Sequence, residues 1–369
     1  MPEGWALRKL QIVKYNSMKL KYTYKVLIVI ATMISVAVSC RKSDNDNNDN
    51  NTGCSGMGAM VPYTWYDPAR FPKAVIPADN QMFVERIALG KKLFYDTRLS
   101  NNGESCETCH KQSMGFSASE VSAFDKGLQK MPLVNMAWYN NFMWSGRITG
   151  TLEDVMYAEL TKRFNTDFNK INGLQEYKDL FCRYYGTDNI TPEVMAKPLA
   201  QFMRVLVSKN NKYDRFLLGL ENLSIDEKAG HDLFFTERGD CFHCHVQVLL
   251  TDNQMHHNGL DSIYKKDIDK GYYNVTGNVL DMGKFRTPNL RNVALRTEFM
   301  HDGRFKTLEE VVNFYNKEVH RGVPNIDPVM LKPGKEYGLN LTELEKKQLI
   351  AFLKTLTDSD FINNPDFKQ

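Results

Sequence analysis

Two copies of the pattern Cys-x-x-Cys-His constrain this chain more than any other feature of its sequence. They are Cys106-Glu-Thr-Cys-His110 and Cys241-Phe-His-Cys-His245. In this pattern two thiols add to the vinyl groups of a c-type haem, and the adjacent histidine supplies an axial nitrogen to the iron. The sequence therefore predicts two covalently bound haems, attached through Cys106, Cys109, Cys241 and Cys244 and ligated by His110 and His245.

A structural zinc site is the alternative, because two Cys-x-x-Cys pairs can form a cage of four thiolates. Three observations argue against it. A histidine directly follows each second cysteine, the two pairs lie in different halves of the chain, and each has the surroundings of its own small helical domain. We therefore favour haem over zinc.

Length and composition indicate a globular protein of two domains. With 369 residues and a net charge of +3, the chain lacks the basic excess typical of nucleic-acid binding. Four of the seven cysteines belong to the haem motifs. Cys54 and Cys182 remain besides Cys40, and the sequence does not decide whether they pair.

The N-terminus has the pattern of an export signal. Three lysines between positions 19 and 25 precede an apolar run over residues 26–38, which is too short to cross a membrane comfortably. The run ends in Val-Ala-Val-Ser-Cys40, the small residues before a cysteine that resemble a bacterial lipoprotein cleavage site. We expect Cys40 to be lipidated; an uncleaved signal anchor is the alternative.

This pattern divides the N-terminal part of the chain in two. Residues 1–39 are the expected signal peptide, of which residues 1–17 are a start-site artefact if translation begins at Met18. Residues 40–71 are the expected disordered tether, because an Asn/Asp-rich run cannot bury a core. Covalent haem is normally attached outside the cytoplasm, so we expect a lipid-anchored protein of the periplasm or cell envelope.

Apolar residues at helical spacing predict an all-α fold with little β-structure. Capping-box pairs mark the starts of two of these helices, Ser224 with Glu227 and Thr342 with Glu345. The same order of elements occurs twice: a leading helix, a haem motif, long loops and a closing helix. This repetition predicts two cytochrome-c-like domains, over residues 72–220 and 221–369. The predicted helices cover residues 82–94, 152–163, 174–185, 192–207, 224–235 and 341–356.

Several blocks carry a family resemblance that spans roughly residues 80–357. They are Gly90-Lys-Lys-Leu-Phe-Tyr-Asp-Thr-Arg-Leu-Ser100, the two haem motifs, Phe142-Met-Trp-Ser-Gly-Arg147, Phe285-Arg-Thr-Pro-Asn-Leu-Arg-Asn-Val-Ala-Leu295 and Met300-His-Asp-Gly-Arg-Phe305. The chain resembles the bacterial di-haem cytochrome c peroxidases and the related di-haem enzymes that mature methylamine dehydrogenase. The resemblance implies that peroxide reacts at the first haem, that the second haem stores electrons, and that Trp144 lies between them.

The distal side of the first haem departs from the simplest pattern of the family. Many of these peroxidases carry a distal histidine in the loop after the first motif, whereas this chain has no histidine between His110 and His231. We expect a five-coordinate iron with an open face, as peroxide binding requires. Met114 and Met131 are the alternative ligands, although a methionine is more often a packing residue.

The resemblance also assigns the other site residues. On the second haem, Tyr315 stands where peroxidases carry an axial methionine and the maturation enzymes carry a tyrosine; Met300 is the alternative ligand. For cleavage of the O–O bond, which needs an acid-base group, Asp167 fits best if two residues are inserted relative to the family pattern, and Glu159 is second. A calcium site would use Gln129 in place of an asparagine, plus the carbonyls of Arg296 and Glu298, and this replacement leaves calcium binding open. The polar loop 253–258, with His256 and His257, is interpreted as structural.

These observations favour an enzyme that reduces hydrogen peroxide to water with electrons from a small cytochrome c or cupredoxin. Two other functions are compatible with the same residues. One is a maturation-type oxidase acting on a protein or an organic substrate, which Tyr315 and the missing distal histidine favour. The other is a di-haem electron carrier without turnover, which would need both irons to be six-coordinate.

Overall fold

The computed structural model describes residue 54 and residues 56–117, 127–335 and 338–369. By its internal contacts the chain divides into Met1–Thr52 and Gly53–Gln369. The predicted export signal and Cys40 lie outside the described residues. None of the described helices has the length and apolar content that a membrane crossing needs.

Helices dominate the described residues, and β-structure is limited to two short antiparallel ribbons, as expected for the predicted fold class. The ribbons pair β1 (Asn141–Phe142) with β2 (Ile148–Thr149), and β3 (Met255–His256) with β4 (Phe285–Arg286). The helices are α1 (Val84–Tyr95), α2 (Cys106–Cys109), α3 (Leu152–Ala158), α4 (Phe168–Asn172), α5 (Gln175–Tyr185), α6 (Pro192–Val205), α7 (Lys212–Leu217), α8 (Ile225–Phe234), α9 (Tyr273–Thr276), α10 (Leu308–Asn313), α11 (Glu343–Lys354) and α12 (Ser359–Asn363). Helices α3 and α10 each continue into one π-helical segment, Glu159–Arg163 and Phe314–Glu318.

Local sequence signals set the helix starts. At α8, Ser224 Oγ accepts from the Glu227 amide at 3.3 Å and Glu227 Oε2 accepts from the Ser224 amide at 2.7 Å, so the predicted capping box is confirmed. The same reciprocal pair joins Thr342 and Glu345 at the start of α11. At α6, Thr191 caps the helix and Pro192 occupies its first turn, where its missing N–H costs nothing.

A leading helix and a closing helix cross at a glycine in each half of the chain. Where α1 meets α6, a Cβ on Gly90 would lie 1.9 Å from the Pro198 carbonyl oxygen. Where α8 meets α11, a Cβ on Gly230 would lie 1.8 Å from the Gln348 carbonyl oxygen. At both crossings the helix backbones are in contact, which requires glycine because it has no Cβ. The same arrangement in both halves agrees with the duplicated unit expected from the sequence.

The buried apolar residues form two clusters. The first joins residues of α1, α3 and α6 around Phe94 and Phe202, and the second joins residues of α8 and α11 around Phe352. Phe361 and Phe367 belong to the first cluster although they lie at the C-terminal end. A division of the chain at residue 220 therefore leaves the last residues packed on the first half.

The chain makes tertiary contacts well before Pro72, where the folded part was expected to start. Cys54 forms a disulfide with Cys182 of α5, and the Val61 carbonyl accepts a hydrogen bond from the Val84 amide at 3.0 Å. The expectation of a disordered tether through residue 71 is therefore wrong for the described residues. The polar run ends at Asn51, and two aromatic residues that follow it, Trp65 and Phe71, contact Trp138.

We expect Gly230→Ala to destabilise the protein. Alanine favours a helix over glycine by about 1 kcal/mol, but the added Cβ collides with the backbone of α11. Overpacking of this kind typically costs about 1–3 kcal/mol. Urea unfolding of the haem-loaded protein measures the difference. Gly322→Ala is the control, because nothing lies within 4 Å of its Cβ position; equal stability of the two variants would contradict the close crossing.

Candidate redox site in two adjoining cavities

Each Cys-x-x-Cys-His motif lines its own cavity. The first cavity, of about 130 Å³, contains Cys106, Cys109 and His110. The second, of about 220 Å³, contains Cys241, Cys244 and His245. Most of the surface of each cavity is apolar, which suits a flat hydrophobic macrocycle.

The two motif histidines are held in the same way. The Nδ1 atom of His110 lies 3.0 Å from the Phe116 carbonyl oxygen, and that of His245 lies 3.0 Å from the Leu250 carbonyl oxygen. A carbonyl acceptor on Nδ1 fixes the tautomer and leaves Nε2 as the metal-binding atom. Burial lowers the pKa of each imidazole to about 4, so both are neutral, as a ligand must be.

The motif thiols suit thioether formation to haem. Cys106 and Cys109 stand at the two ends of the short helix α2, and none of the four motif cysteines takes part in a disulfide. Because the two pairs line different cavities, the described residues form no cage of four thiolates. The donor set of each cavity thus fits a c-type haem and does not fit structural zinc.

Trp144 separates the two cavities and lines both of them. Its side chain is 9% exposed, and its Nε1–H donates to the Gln129 carbonyl oxygen at 2.7 Å. Gln129, Lys130 and Arg286 also line both cavities. Trp144 thus lies in the wall shared by the two cavities, each of which contains one Cys-x-x-Cys-His motif.

Glu159 lies in the wall of the first cavity. It is the first residue of the π-helical segment that follows α3, and such segments are frequent at functional sites. Burial raises the pKa of its carboxyl group, against the lowering effect of Arg163, Arg147 and Lys130. The Arg163 guanidinium is 3.8 Å away. A partly buried carboxyl group of raised pKa is suited to hold and release a proton.

Asp167 lies outside both cavities, although sequence reasoning preferred it to Glu159. Its exposed side chain is the N-cap of α4, where Oδ1 accepts from the amides of Asn169 at 3.0 Å and Lys170 at 3.2 Å. The assumed two-residue insertion is the source of the error. Asp167 is thus a helix cap, and Glu159 is the carboxylate that the first cavity contains.

The two alternative methionine ligands of the first haem are in different places. Met131 lines the first cavity, and its sulfur accepts a hydrogen bond from Arg286 Nη2 at 3.0 Å. Met114 lies in a short 3-10 helix outside the cavity wall. Among the described residues of this wall, His110 is the one histidine.

Both candidate ligands of the second haem line the second cavity. Tyr315 is the second residue of the π-helical segment that follows α10, and its hydroxyl accepts a hydrogen bond from Asn258 Nδ2 at 3.0 Å. Burial raises the pKa of the Tyr315 phenol to about 12. The Met300 sulfur lies 4.0 Å from the same amide nitrogen, so Asn258 lies between the two candidates.

An internal repeat would have identified Glu159 from the sequence. Residues 142–147 (Phe-Met-Trp-Ser-Gly-Arg) match residues 299–304 (Phe-Met-His-Asp-Gly-Arg), and Thr151-Leu-Glu-Asp-Val matches Thr307-Leu-Glu-Glu-Val. Glu159 and Tyr315 are each the eighth residue after the matched threonine. Both threonines cap their helices with a capping box. The two residues are thus structural counterparts, one in each cavity.

The repeat also relates the two sides of the boundary between the cavities. The Gln129 amide donates to the His301 carbonyl at 2.7 Å, and the Arg286 amide donates to the Trp144 carbonyl at 2.8 Å. Because His301 is the counterpart of Trp144 in the repeat, these hydrogen bonds form a nearly symmetrical pair. His301 also stacks on Phe285, with ring centroids 4.0 Å apart. Sequence reasoning had not singled out His301 or Arg286.

The residues proposed for calcium lie at the same boundary. The side-chain oxygen of Gln129 is buried and has no hydrogen-bond partner among the described residues, and Arg296 and Glu298 line the second cavity. In the polar loop, His256 lies between the carboxylates of Asp252 and Asp327, and His257 bonds to the Tyr264 hydroxyl. These contacts agree with a structural role for the loop.

Comparison with known proteins agrees with this geometry. A model of the di-haem cytochrome c peroxidase family matches residues 84–222. The chain is 31% identical to the cytochrome-c peroxidase IdrP1 of Denitromonas iodatirespirans over 80% of this chain and 88% of the relative. It is 30% identical to the methylamine utilization protein MauG of Methylophilus methylotrophus over 76% of this chain and 84% of the relative.

A solved structure shows the same architecture. A MauG-like protein associated with microbial copper homeostasis superimposes with a TM-score of 0.76 at 30% identity, over 83% of this chain and 99% of that protein. The chain therefore belongs to the di-haem cytochrome c peroxidase family, which includes the MauG-like proteins, and it is an oxidoreductase.

Proposed function

We propose that this protein reduces hydrogen peroxide to water, using two covalently attached c-type haems in two cytochrome-c-like domains. The reaction consumes one peroxide, two electrons and two protons and yields two waters. The observation that carries the proposal is the unlike pair of counterparts in adjoining cavities, Glu159 in the first and Tyr315 in the second. This arrangement supports peroxide chemistry on the first haem and electron storage on the second.

The residues of the first cavity supply binding and proton transfer. A haem held by Cys106, Cys109 and His110 would supply the redox chemistry that cleaves the O–O bond. Glu159 takes a proton from the bound peroxide and returns it to the departing oxygen, because its raised pKa suits it to both steps. Arg163, Arg147 and Lys130 place positive charge around this carboxylate and favour its ionised form, which is the form that accepts the proton.

Trp144 provides the connection between the two cofactors. Its indole lines both cavities, and the hydrogen bond to Gln129 fixes its orientation. An aromatic ring in this position couples the two sites electronically. A small cytochrome c or cupredoxin would deliver its electrons singly to the second haem.

A maturation-type oxidase is the second candidate, and Tyr315 favours it. A phenolate ligand is a hard anion that favours ferric and higher oxidation states of iron. The Asn258 amide holds the Tyr315 oxygen inside the second cavity, where it faces the cofactor site. The similarity to MauG supports this candidate, whose substrate would be a protein or an organic molecule.

We further propose that the protein works outside the cytoplasm, anchored through a lipid on Cys40. The disulfide between Cys54 and Cys182 supports an oxidising compartment. A calcium ion between the two halves would use the buried, unpartnered oxygen of Gln129 together with the carbonyls of Arg296 and Glu298.

We expect Glu159→Gln to lower kcat/KM for peroxide by about 10²-fold or more, because general acid-base catalysis is lost. The assay follows oxidation of a reduced small cytochrome by the haem-loaded enzyme on addition of hydrogen peroxide. Glutamine retains the size of the side chain, so haem content and the absorption spectrum should not change.

Asp167→Asn is the matched control. It neutralises a nearby carboxylate that lies outside the first cavity, so turnover should remain close to that of the wild type. Equal turnover of the Glu159 variant and the wild type would remove Glu159 from the mechanism.

In the ferric wild type, EPR should show one high-spin signal, and two low-spin signals would instead favour a carrier.

We expect Tyr315→Phe to open the second iron to external ligands. Loss of the phenol oxygen removes the proposed sixth ligand, so a second high-spin EPR signal and a second cyanide-binding step should appear. Tyr264→Phe is the control, because that tyrosine bonds to His257 and does not line the second cavity. An unchanged spectrum in the Tyr315 variant would favour Met300 as the ligand.

We expect the mature protein to begin at a lipidated Cys40. Mass spectrometry of the protein purified from membranes should find acyl chains on this cysteine and no residues of the apolar run before it. Cys40→Ser should release the protein from the membrane fraction, while haem attachment continues. An unmodified Cys40 that is still preceded by the apolar run would contradict the proposal.

A further inference from the structure

Two arginines next to the cofactor cavities lack an acidic partner. Arg286 is 5% exposed and lines both cavities, and Arg296 lines the second. Arg286 donates to the Met143 carbonyl oxygen at 3.2 Å, to Asn253 Oδ1 at 3.1 Å and to Met131 Sδ at 3.0 Å. Arg296 donates to the Asn289 carbonyl oxygen at 2.6 Å. Among the described residues, no carboxylate forms an ion pair with either guanidinium.

The two most deeply buried arginines among the described residues each have a carboxylate partner. Arg204, 2% exposed, lies 2.7 Å from a carboxylate oxygen of Glu153. Arg291 is 0% exposed and holds Asp214 in a bidentate pair, with both N···O distances 2.7 Å. At these two positions, away from the cavities, the protein itself supplies a carboxylate as the counter-ion of the buried guanidinium. Arg286 and Arg296, in contrast, line the cavity walls without a carboxylate partner.

A buried Arg286 and a half-buried Arg296 without a counter-ion are unfavourable, since each cation has lost part of its water and repels the other. Burial lowers the pKa of both guanidiniums to about 10, and Arg286 contributes to the lowering at Arg296. At neutral pH both remain charged. The folded protein therefore carries uncompensated positive charge at the boundary between the cavities, and it is suited to bind an anionic group there.

We propose that Arg286 is a positioning residue that binds a propionate carboxylate from each of the two haems. Arg296, which lines the second cavity, supplies a second cation for the propionate of the second haem. The inference rests on the proposed attachment of haem. Every c-type haem carries two propionates, and a planar guanidinium binds carboxylates through several parallel donors. Arg286 faces both cavities, so one cation orients two cofactors relative to Trp144.

The same contact sets the reduction potentials of the two irons. A fixed positive charge near a haem favours its reduced form, because reduction adds an electron. Its removal would leave propionate charge uncompensated near both metals and would lower both potentials together. Arg286 is thus expected to act on the electron-storing and the peroxide-reactive site at once.

Redox titration of the haem-loaded protein tests this proposal, and it requires no turnover. In Arg286→Gln we expect at least a tenfold loss in the equilibrium constant for reduction of each haem, a fall of about 59 mV in each midpoint potential. Arg286→Lys retains the charge and should restore most of the difference. The potentials of the glutamine variant should also depend on pH more strongly than those of the wild type, because the unpaired propionates now take up protons.

Arg86→Gln is the control for a structural effect. Arg86 is 9% exposed, donates to the Tyr184 carbonyl oxygen at 3.0 Å and also lacks a paired carboxylate, but it lies outside both cavities. Its loss should reduce stability and leave both potentials unchanged. A shift at one haem alone, no shift, or an equal shift in the Arg86 variant would each overturn the proposal.

A mobile anion from solvent is the other source of negative charge. If it were the partner, the wild-type potentials would change when chloride is replaced by a larger anion at constant ionic strength. We expect no change. These measurements stand apart from the peroxidase proposal, since a carrier or an oxidase with the same two haems would give the same redox result.

Discussion

The boundary between the two cavities depends on a pair of backbone hydrogen bonds, from Gln129 to His301 and from Arg286 to Trp144. Each bond connects a loop of one half to the matching block of the other, so the indole is held by both halves at once. Because the acceptors are carbonyls of residues that themselves line a cavity, the distance between the cofactor sites is set by main-chain geometry. Side chains then determine what each site does.

The difference in chemistry between the halves arises at one repeated position. Both α3 and α10 start after a capping-box threonine and continue into a π-helical segment. In each segment one side chain lines a cavity. The backbone in the two places is alike, whereas the side chain is Glu159 in one and Tyr315 in the other. In the proposed function, the shorter Glu159 leaves room at the first haem, and the longer Tyr315 extends into the second cavity. Substitution at this one repeated position is then sufficient to separate the two proposed roles.

The features that depend on short stretches of sequence could be predicted without the structure. The haem motifs, the capping boxes of α8 and α11, and the position of Trp144 all depend on residues close together in the chain or on a specific block. Asp167 was preferred wrongly because its proposed role depended on a long-range alignment across an assumed insertion. The start near Pro72 was wrong because aromatic residues such as Trp65 and Phe71 find their partner, Trp138, far along the chain. The unpaired arginines at the cavities could not be found without coordinates, because lack of an acidic partner is a property of three-dimensional neighbours.

The return of the C-terminal residues to the first half has a consequence for folding. Phe361 and Phe367 pack on Phe116, and the carbonyls of Phe361 and Asn364 accept hydrogen bonds from Gln112. These contacts lie beside the loop that holds His110. The first cluster therefore cannot finish packing until residues 361–367 are in place, whereas the second cluster lies within the continuous stretch 213–356. Loss of residues 361–367 would accordingly loosen the packing beside His110, which is far from them in the sequence, and leave the second cluster complete.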